Sequence, residues 1–225
     1  MTGFLPLVLT LTIFIVSHTA ISRSFLRTPL LAALGPGWYG ALHGIISILG
    51  MAAIFWGFWQ APYIGLWPPY PALQALPAMV MPLACILAAA GLVTPGAGLQ
   101  GDRLPEGDNP APGILSITRH PLPWALILWS LAHLVANGDV AGVALFGIFL
   151  IFSAFAPPLV DRRRRRCGEE AWQRFAMASP TIPFSGPGPI DWKGIGWKPV
   201  LLGLVIYALL LHLHPIVIGI DAINF

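Results

Sequence analysis

Charge is what this chain has least of. Only 9% of its 225 residues are Asp, Glu, Lys or Arg, where a soluble domain carries about 25%. With 56% hydrophobic residues, it has too little polar surface to clothe a water-soluble globule. It is expected to be an integral membrane protein with no large soluble domain left over. Acids are almost absent from its apolar stretches, which argues against a proton-coupled carrier. Cysteine is scarce too. Cys85 falls mid-span and Cys167 follows a basic run on the reducing side, so no disulfide between them is expected. Also missing are a Gly-x-Ser-x-Gly nucleophile, a phosphate loop and a His-Glu-x-x-His zinc helix. No internal repeat is evident, which weakens a transporter built from inverted halves. The N-terminus lacks the positive stretch of a signal peptide. Arg23 and Arg27 follow the first apolar run instead, so that run reads as a retained span.

What is present is a series of long apolar segments. Six have near the roughly 20 residues that a bilayer requires: about Phe4–Ser22, Trp38–Trp59, Ala72–Val93, Pro121–Asn137, Val140–Val160 and Lys198–Gly219. The expected fold is an all-α polytopic membrane bundle of about six transmembrane helices, a single membrane domain over residues 1–225. Twenty-four Gly and 23 Pro suit closely packed and kinked membrane helices, and several of the nine Trp lie near span ends, as in an aromatic belt. Asn137-Gly138-Asp139 is a tight turn that makes a hairpin of spans four and five, with Asp139 placed to cap the fifth.

The cations fix an orientation. Eleven of the 12 Lys and Arg fall in alternate connections, after spans one, three and five, and the twelfth, Lys198, opens span six from the same side. By the positive-inside rule those loops are cytoplasmic and both termini lie outside, as expected of a multi-pass protein of a bacterial inner membrane. Arg162–Arg166 then reads as a topology anchor touching anionic lipid rather than as a nucleic-acid site. It opens a cytoplasmic basic and interfacial segment over about 161–197. Within that segment, Gly168–Ala178 has the mixed spacing of a short interfacial helix, and Ser179–Pro199, rich in Pro and Gly, reads as an extended loop. Leu92–Pro112 is irregular in the same way.

Six histidines carry the chemistry: His18, His43, His120, His133, His212 and His214. A ring at membrane depth needs a partner where water is absent, so an intramembrane histidine is a functional candidate. His133 lies about 18 Å from the cytoplasmic start of span four at 1.5 Å per residue. If span one continues as helix to Arg27, His18 lies about 14 Å from its inner end. The two therefore share a depth at which a metal or haem could be held between helices, with His43, about 8 Å inside span two, as a competing partner. Arg119-His120-Pro121 sits at the cytoplasmic mouth of span four, where a helix start favours an anion. Arg119 and His120 are candidates to grip a carboxylate or phosphate, with a helix-start motif plus interfacial anchor as the alternative. His212 and His214 lie about 200° apart around a helix, so they share no face.

Several motifs resemble the NnrU family of membrane proteins: Thr118-Arg119-His120-Pro121, Trp129-x-Leu131-Ala132-His133-Leu134 and Ala136-Asn137-Gly138-Asp139, followed by Asp161-Arg162-Arg163, Gly168-Glu169-Glu170 and Ile182-Pro183-Phe184. His18 also falls where that family has a histidine. The family is linked to nitrite and nitric oxide metabolism in denitrifying bacteria and includes the plastid zeta-carotene isomerase, which uses haem b to isomerise a central cis double bond. The resemblance implies haem b as cofactor, His18 and His133 as its axial ligands, Arg119 and His120 near a propionate, and an apolar polyene as substrate. Ser130 stands where the isomerase has a cysteine, so the resemblance does not extend to that sulfur. His43 has no clear counterpart in the isomerase. Two other readings stand beside this one. One is a non-enzymatic accessory or sensor protein for nitrite and nitric oxide respiration. The other is a membrane methyltransferase, because Arg-His-Pro also occurs in the isoprenylcysteine type; its cofactor would lie near His120 and Glu169 or Glu170.

Overall fold

The structure is a computed structural model that describes residues 3–22, 24–98 and 103–222; Arg23 lies outside them. Five of its helices are long and apolar enough to cross a membrane, and the shorter apolar helix Pro121–Asn137 adds a sixth apolar segment at the expected place. The described residues contain no strand, only an isolated bridge between Gly65 and Asp139. The chain divides into two compact units, Met1–Trp67 with Asp139–Leu145, and Pro68–Gly138 with Phe146–Phe225.

The first unit is an antiparallel pair, α1 (Leu5–Ser22) and α2 (Ser24–Gln60). Helix α1 carries five hydroxyl residues, and each of Thr10, Thr12, Ser17, Thr19 and Ser22 donates to a carbonyl three or four residues back. That removes the cost of an unpaired hydroxyl in an apolar medium. Helix α2 is broken at Gly35, whose φ of 73° and ψ of 168° are not helical. The cause is local: Pro36 disfavours helix at the residue before it, and glycine alone adopts that positive φ freely. The membrane-crossing part of α2 therefore begins at Pro36, close to the expected Trp38. The stretch from Ser24 to Leu34, expected as a cytoplasmic connection, is itself helical. The two helices touch closely at Gly57, where an added Cβ would lie 2.6 Å from Thr10 Oγ1 and 2.9 Å from the Pro6 carbonyl.

In the second unit α3 (Pro71–Val93) packs mainly against α5 (Pro121–Asn137) and α10 (Trp197–Val217). Proline opens both α3 and α5, at the position where its missing N–H has no helical partner to lose. The fifth span is two segments, α6 (Val140–Ala154) and α7 (Ala156–Arg164), parted at Phe155 just before Pro157 and Pro158. The Asn137-Gly138-Asp139 turn forms as expected: Gly138 is left-handed at the end of α5, and Asp139 Oδ1 accepts from Gly142 N at 3.0 Å to cap α6. Three short helices complete the chain, α4 (Ile114–Ile117), α8 (Glu169–Ala178) and α9 (Trp192–Ile195).

The buried hydrophobic cluster of the second unit is not at mid-span. It gathers Leu87 and Ala90 of α3, Leu115 and Ile117 of α4, Ala125 of α5, and Trp172 and Phe175 of α8. Helix α8 is thus the expected amphipathic segment, with its apolar pair at i and i+3 turned into the core. Along the spans, large apolar residues such as Ile13, Ile48, Met79, Ile151 and Ile216 are exposed, the distribution expected where lipid is the solvent.

Candidate functional site

The chemistry-bearing side chains form three groups. In the first unit, α1 and α2 run past each other in a ladder that brings Phe14 to Gly50, His18 to His43 and Ser47, and the Tyr39 hydroxyl to the Ile21 carbonyl. His18 Nε2 stands 3.4 Å from His43 Nε2. His18 lies four residues before Ser22, and residues 24–34, beyond Arg23, are helical as well. His43, about 10 Å beyond Pro36, meets it there.

The protonation pattern of His18 follows from its neighbours. Ser47 Oγ lies 2.7 Å from the His43 carbonyl, which can only accept, so the single hydroxyl proton goes there. His18 Nδ1, 3.0 Å from the same oxygen, must therefore donate to it. In the neutral ring Nε2 is then the acceptor nitrogen, and it faces His43 Nε2. Phe14 stacks on the other side of the imidazole, with centroids 5.2 Å apart.

His133, in the second unit, reaches the same state by another route. Its Nδ1 is 2.8 Å from the Trp129 carbonyl, one turn earlier in α5, so Nδ1 carries the proton and Nε2 is bare. The ring stacks on Phe146 at 5.1 Å and tilts against Trp129, which in turn meets Phe146 and Phe149 edge-on. Asn137 Nδ2 donates to the His133 carbonyl at 2.8 Å. Ser130, one turn before His133, is fully buried, and its hydroxyl has no hydrogen-bond partner among the described residues. In each imidazole Nδ1 donates to a fixed acceptor and Nε2 is the basic nitrogen, the tautomer in which histidine ligates metals. His18 and His133 belong to different units.

The third group surrounds Arg119 and His120. The carboxylate they meet is the chain's own. Arg119 donates through Nε and Nη2 to Asp161 Oδ2 at 3.1 and 2.9 Å, and through Nη1 to the Ser179 carbonyl at 2.6 Å. His120, 1% exposed, places Nε2 3.1 Å from Asp161 Oδ1. Burial holds the His120 imidazole below its ordinary range, outweighing the upward pull of Asp161. Arg164 is buried beside them and bonds to the carbonyls of Arg119 and Gly96 at 2.9 and 2.6 Å. Trp172 and Phe175 of α8 lie under the guanidinium groups of Arg119 and Arg164. Motif pieces distant in sequence meet here: Thr118 Oγ1 and Trp124 Nε1 both donate to the Thr181 carbonyl, and Phe184 N donates to the Ile117 carbonyl. Asp161, the centre of this group, was legible only as part of a motif, because its partners lie about 40 residues away. Glu169 and Glu170 are exposed while His120 is buried.

His214 Nδ1 lies 2.7 Å from the Ile220 carbonyl, near the end of α10. Among the described residues no group of three or more His, Cys, Asp or Glu is placed to hold a metal ion.

The model of one family, described as NnrU protein, matches residues 6–222. No curated protein and no solved structure matches the chain.

Proposed function

From the premise that the chain belongs to the NnrU family, we propose that it is a haem-b-binding membrane protein of the bacterial inner membrane, with both termini outside the cytoplasm. In this reading His18 and His133 are the iron ligands. The observation that carries it is the hydrogen-bonding state of the two rings. His133 Nδ1 is committed to the Trp129 carbonyl and His18 Nδ1 to Ser47, so in each ring Nε2 is the basic nitrogen through which iron would be held. The donor set fits haem iron, for which neutral imidazole is a common axial ligand.

The activity we propose is cis–trans isomerisation of a long apolar polyene. When bound, haem supplies an iron that can share electron density with the polyene and so lower its rotation barrier. The chain's own residues bind, wall off and orient. Apolar span surfaces would hold the substrate, since each buried CH2 contributes about 0.8 kcal/mol. Trp129, Phe146 and Phe149 form an aromatic wall around His133 that excludes water. Arg119 and His120 act at one remove: bound to Asp161, they fix the start of α5 and hence the helix that carries His133.

The test has two stages. Detergent-purified protein from haem-replete cells is expected to show a Soret band that is lost or shifted in His18→Ala and His133→Ala. Expression in a bacterium that accumulates a tri-cis carotene precursor is expected to convert the pigment. A haem protein that leaves the pigment unconverted would favour the accessory role in nitrogen-oxide respiration. Protein without haem that binds S-adenosylmethionine tightly would favour the methyltransferase.

A further inference from the structure

We propose that the Ile182-Pro183-Phe184 turn is a membrane wedge, whose two large apolar side chains dock into the lipid leaflet beside the basic loops. The first argument is a mismatch between backbone and side chain. Ser185 N donates to the Ile182 carbonyl at 3.2 Å, with Pro183 second in the turn and Phe184 third at a φ of 65°. That is the pattern of a type II turn, whose third position favours glycine. Phe184 is the one non-glycine residue with positive φ among the described residues, and a bulky side chain makes that conformation costly. The ring gives the fold no packing to offset this. It is 65% exposed, and Ile182 is 61% exposed. Strain held beneath an outward-facing side chain points to a use outside the chain.

Depth is the second argument. The backbone around the turn is lashed to the start of α5. The Pro180 carbonyl accepts from Arg119 N at 2.9 Å, and the Thr181 carbonyl from Thr118 Oγ1 at 3.0 Å and Trp124 Nε1 at 2.9 Å. Phe184 N donates to the Ile117 carbonyl at 3.0 Å. The start of α5 lies level with that of α10. Where α3 packs on these two helices, Gly91 meets Leu122 and Gly203 meets Ile86. Ile86 is about 7.5 Å from Gly91 along α3, and Trp197 about 9 Å from Gly203 along α10, so Trp197 and Leu122 stand within about 2 Å of one level. Trp197 opens α10 and is 68% exposed, as an indole at the membrane boundary would be. The turn is thus fixed where lipid headgroups give way to acyl chains. Its composition agrees. No residue from Phe175 to Ile190 is charged, while Arg162–Arg166 before it and Lys193 and Lys198 after it are cations suited to an anionic lipid surface.

The test uses full-length protein carrying Cys167→Ser, in vesicles of phosphatidylethanolamine and phosphatidylglycerol. A nitroxide is attached at Ile182→Cys, at Phe184→Cys or, as the exposed comparison, at Arg166→Cys. Its collisions are measured with oxygen, which concentrates among acyl chains, and with a neutral nickel chelate, which stays in water. Labels at 182 and 184 are expected to collide mainly with oxygen, and the label at 166 mainly with the chelate. Phe184→Gly keeps the turn, since glycine adopts that φ freely, and removes the ring. In that variant, chelate collisions at Ile182→Cys are expected to rise several-fold. Chelate access at 182 and 184 equal to that at 166 would overturn the proposal by leaving the turn in water. Labels shielded from both reagents would overturn it in favour of a protein partner or a second copy of the chain. An unchanged label in Phe184→Gly would overturn it too, because the ring would not be the anchor. None of these readouts depends on haem binding.

Discussion

Arg164 donates through Nη1 to the backbone carbonyl of Arg119 at 2.9 Å, and through Nη2 to that of Gly96 at 2.6 Å. One fully buried guanidinium thereby ties the end of α7 to the residue before the α5 cap and to the loop after α3. Arg119 uses its own guanidinium for Asp161, the acid three residues before Arg164. The start of α5, and so the placement of His133, depends on this closed set of charges and carbonyls.

Arg164→Met leaves two carbonyls without a donor and Asp161 with one cation fewer. A loss of about 3 kcal/mol is expected, which for a chain of this size lowers the melting temperature by roughly 6–12 °C. Thermal unfolding in detergent checks it. Arg166→Met, an exposed neighbour in the same run, is expected to change little.

His120 sets a pH dependence. Its imidazole is buried against Asp161, Arg119 and Arg164, and burial is the largest of the influences that keep it below the ordinary value of 6.5. Below that value the unfolded chain takes up a proton that the folded chain refuses, so stability falls as pH drops from 6.5 and levels off once the folded ring titrates. Melting temperatures measured between pH 7.5 and pH 4.5 should show this decline, and His120→Gln should flatten it. An unchanged slope in the variant would assign the decline to other groups.

Gly57→Leu tests the contact between α1 and α2. A side chain there meets the Pro6 carbonyl at 2.9 Å and Leu7 Cα at 3.0 Å, backbone atoms that cannot turn aside. A loss of about 1–3 kcal/mol is expected. Gly44→Leu on the same helix, where an added Cβ has open space, is expected to change stability little.

The orientation can be read from the native thiols. Cys167 is exposed and Cys85 buried, and both are free. In intact cells a membrane-impermeant maleimide should leave both unlabelled. In inverted vesicles it should label Cys167 alone, because that residue follows the basic run expected in the cytoplasm. Labelling of Cys167 in intact cells would reverse the topology.

The spans were legible because hydropathy and length alone define them. The hairpin at Asn137-Gly138-Asp139 was legible from turn chemistry. The connection after span one was less so. The stretch after Ser22 reads as a connection because Arg27 and Pro29 follow the apolar run, yet residues 24–34 are helical up to the break at Gly35. The ligand-like state of His18 also depends on Ser47, an ordinary hydroxyl in an apolar segment. Of the five consecutive arginines, the sequence does not show that Arg164 turns inward, because that depends on carbonyls as far away as Gly96. Partnerships across 40 to 70 residues leave no local pattern, so Asp161 was legible only as part of the Asp161-Arg162-Arg163 motif.

The central claim is that His133 and His18 ligate haem iron. Its most direct test is the absorption spectrum of the detergent-purified protein, oxidised and reduced, alongside His18→Ala and His133→Ala. The account predicts a Soret band and reduced-state visible bands of a six-coordinate b-type haem in the wild type, lost or shifted in both variants. A wild type without a Soret band, or variants with unaltered spectra, would contradict it.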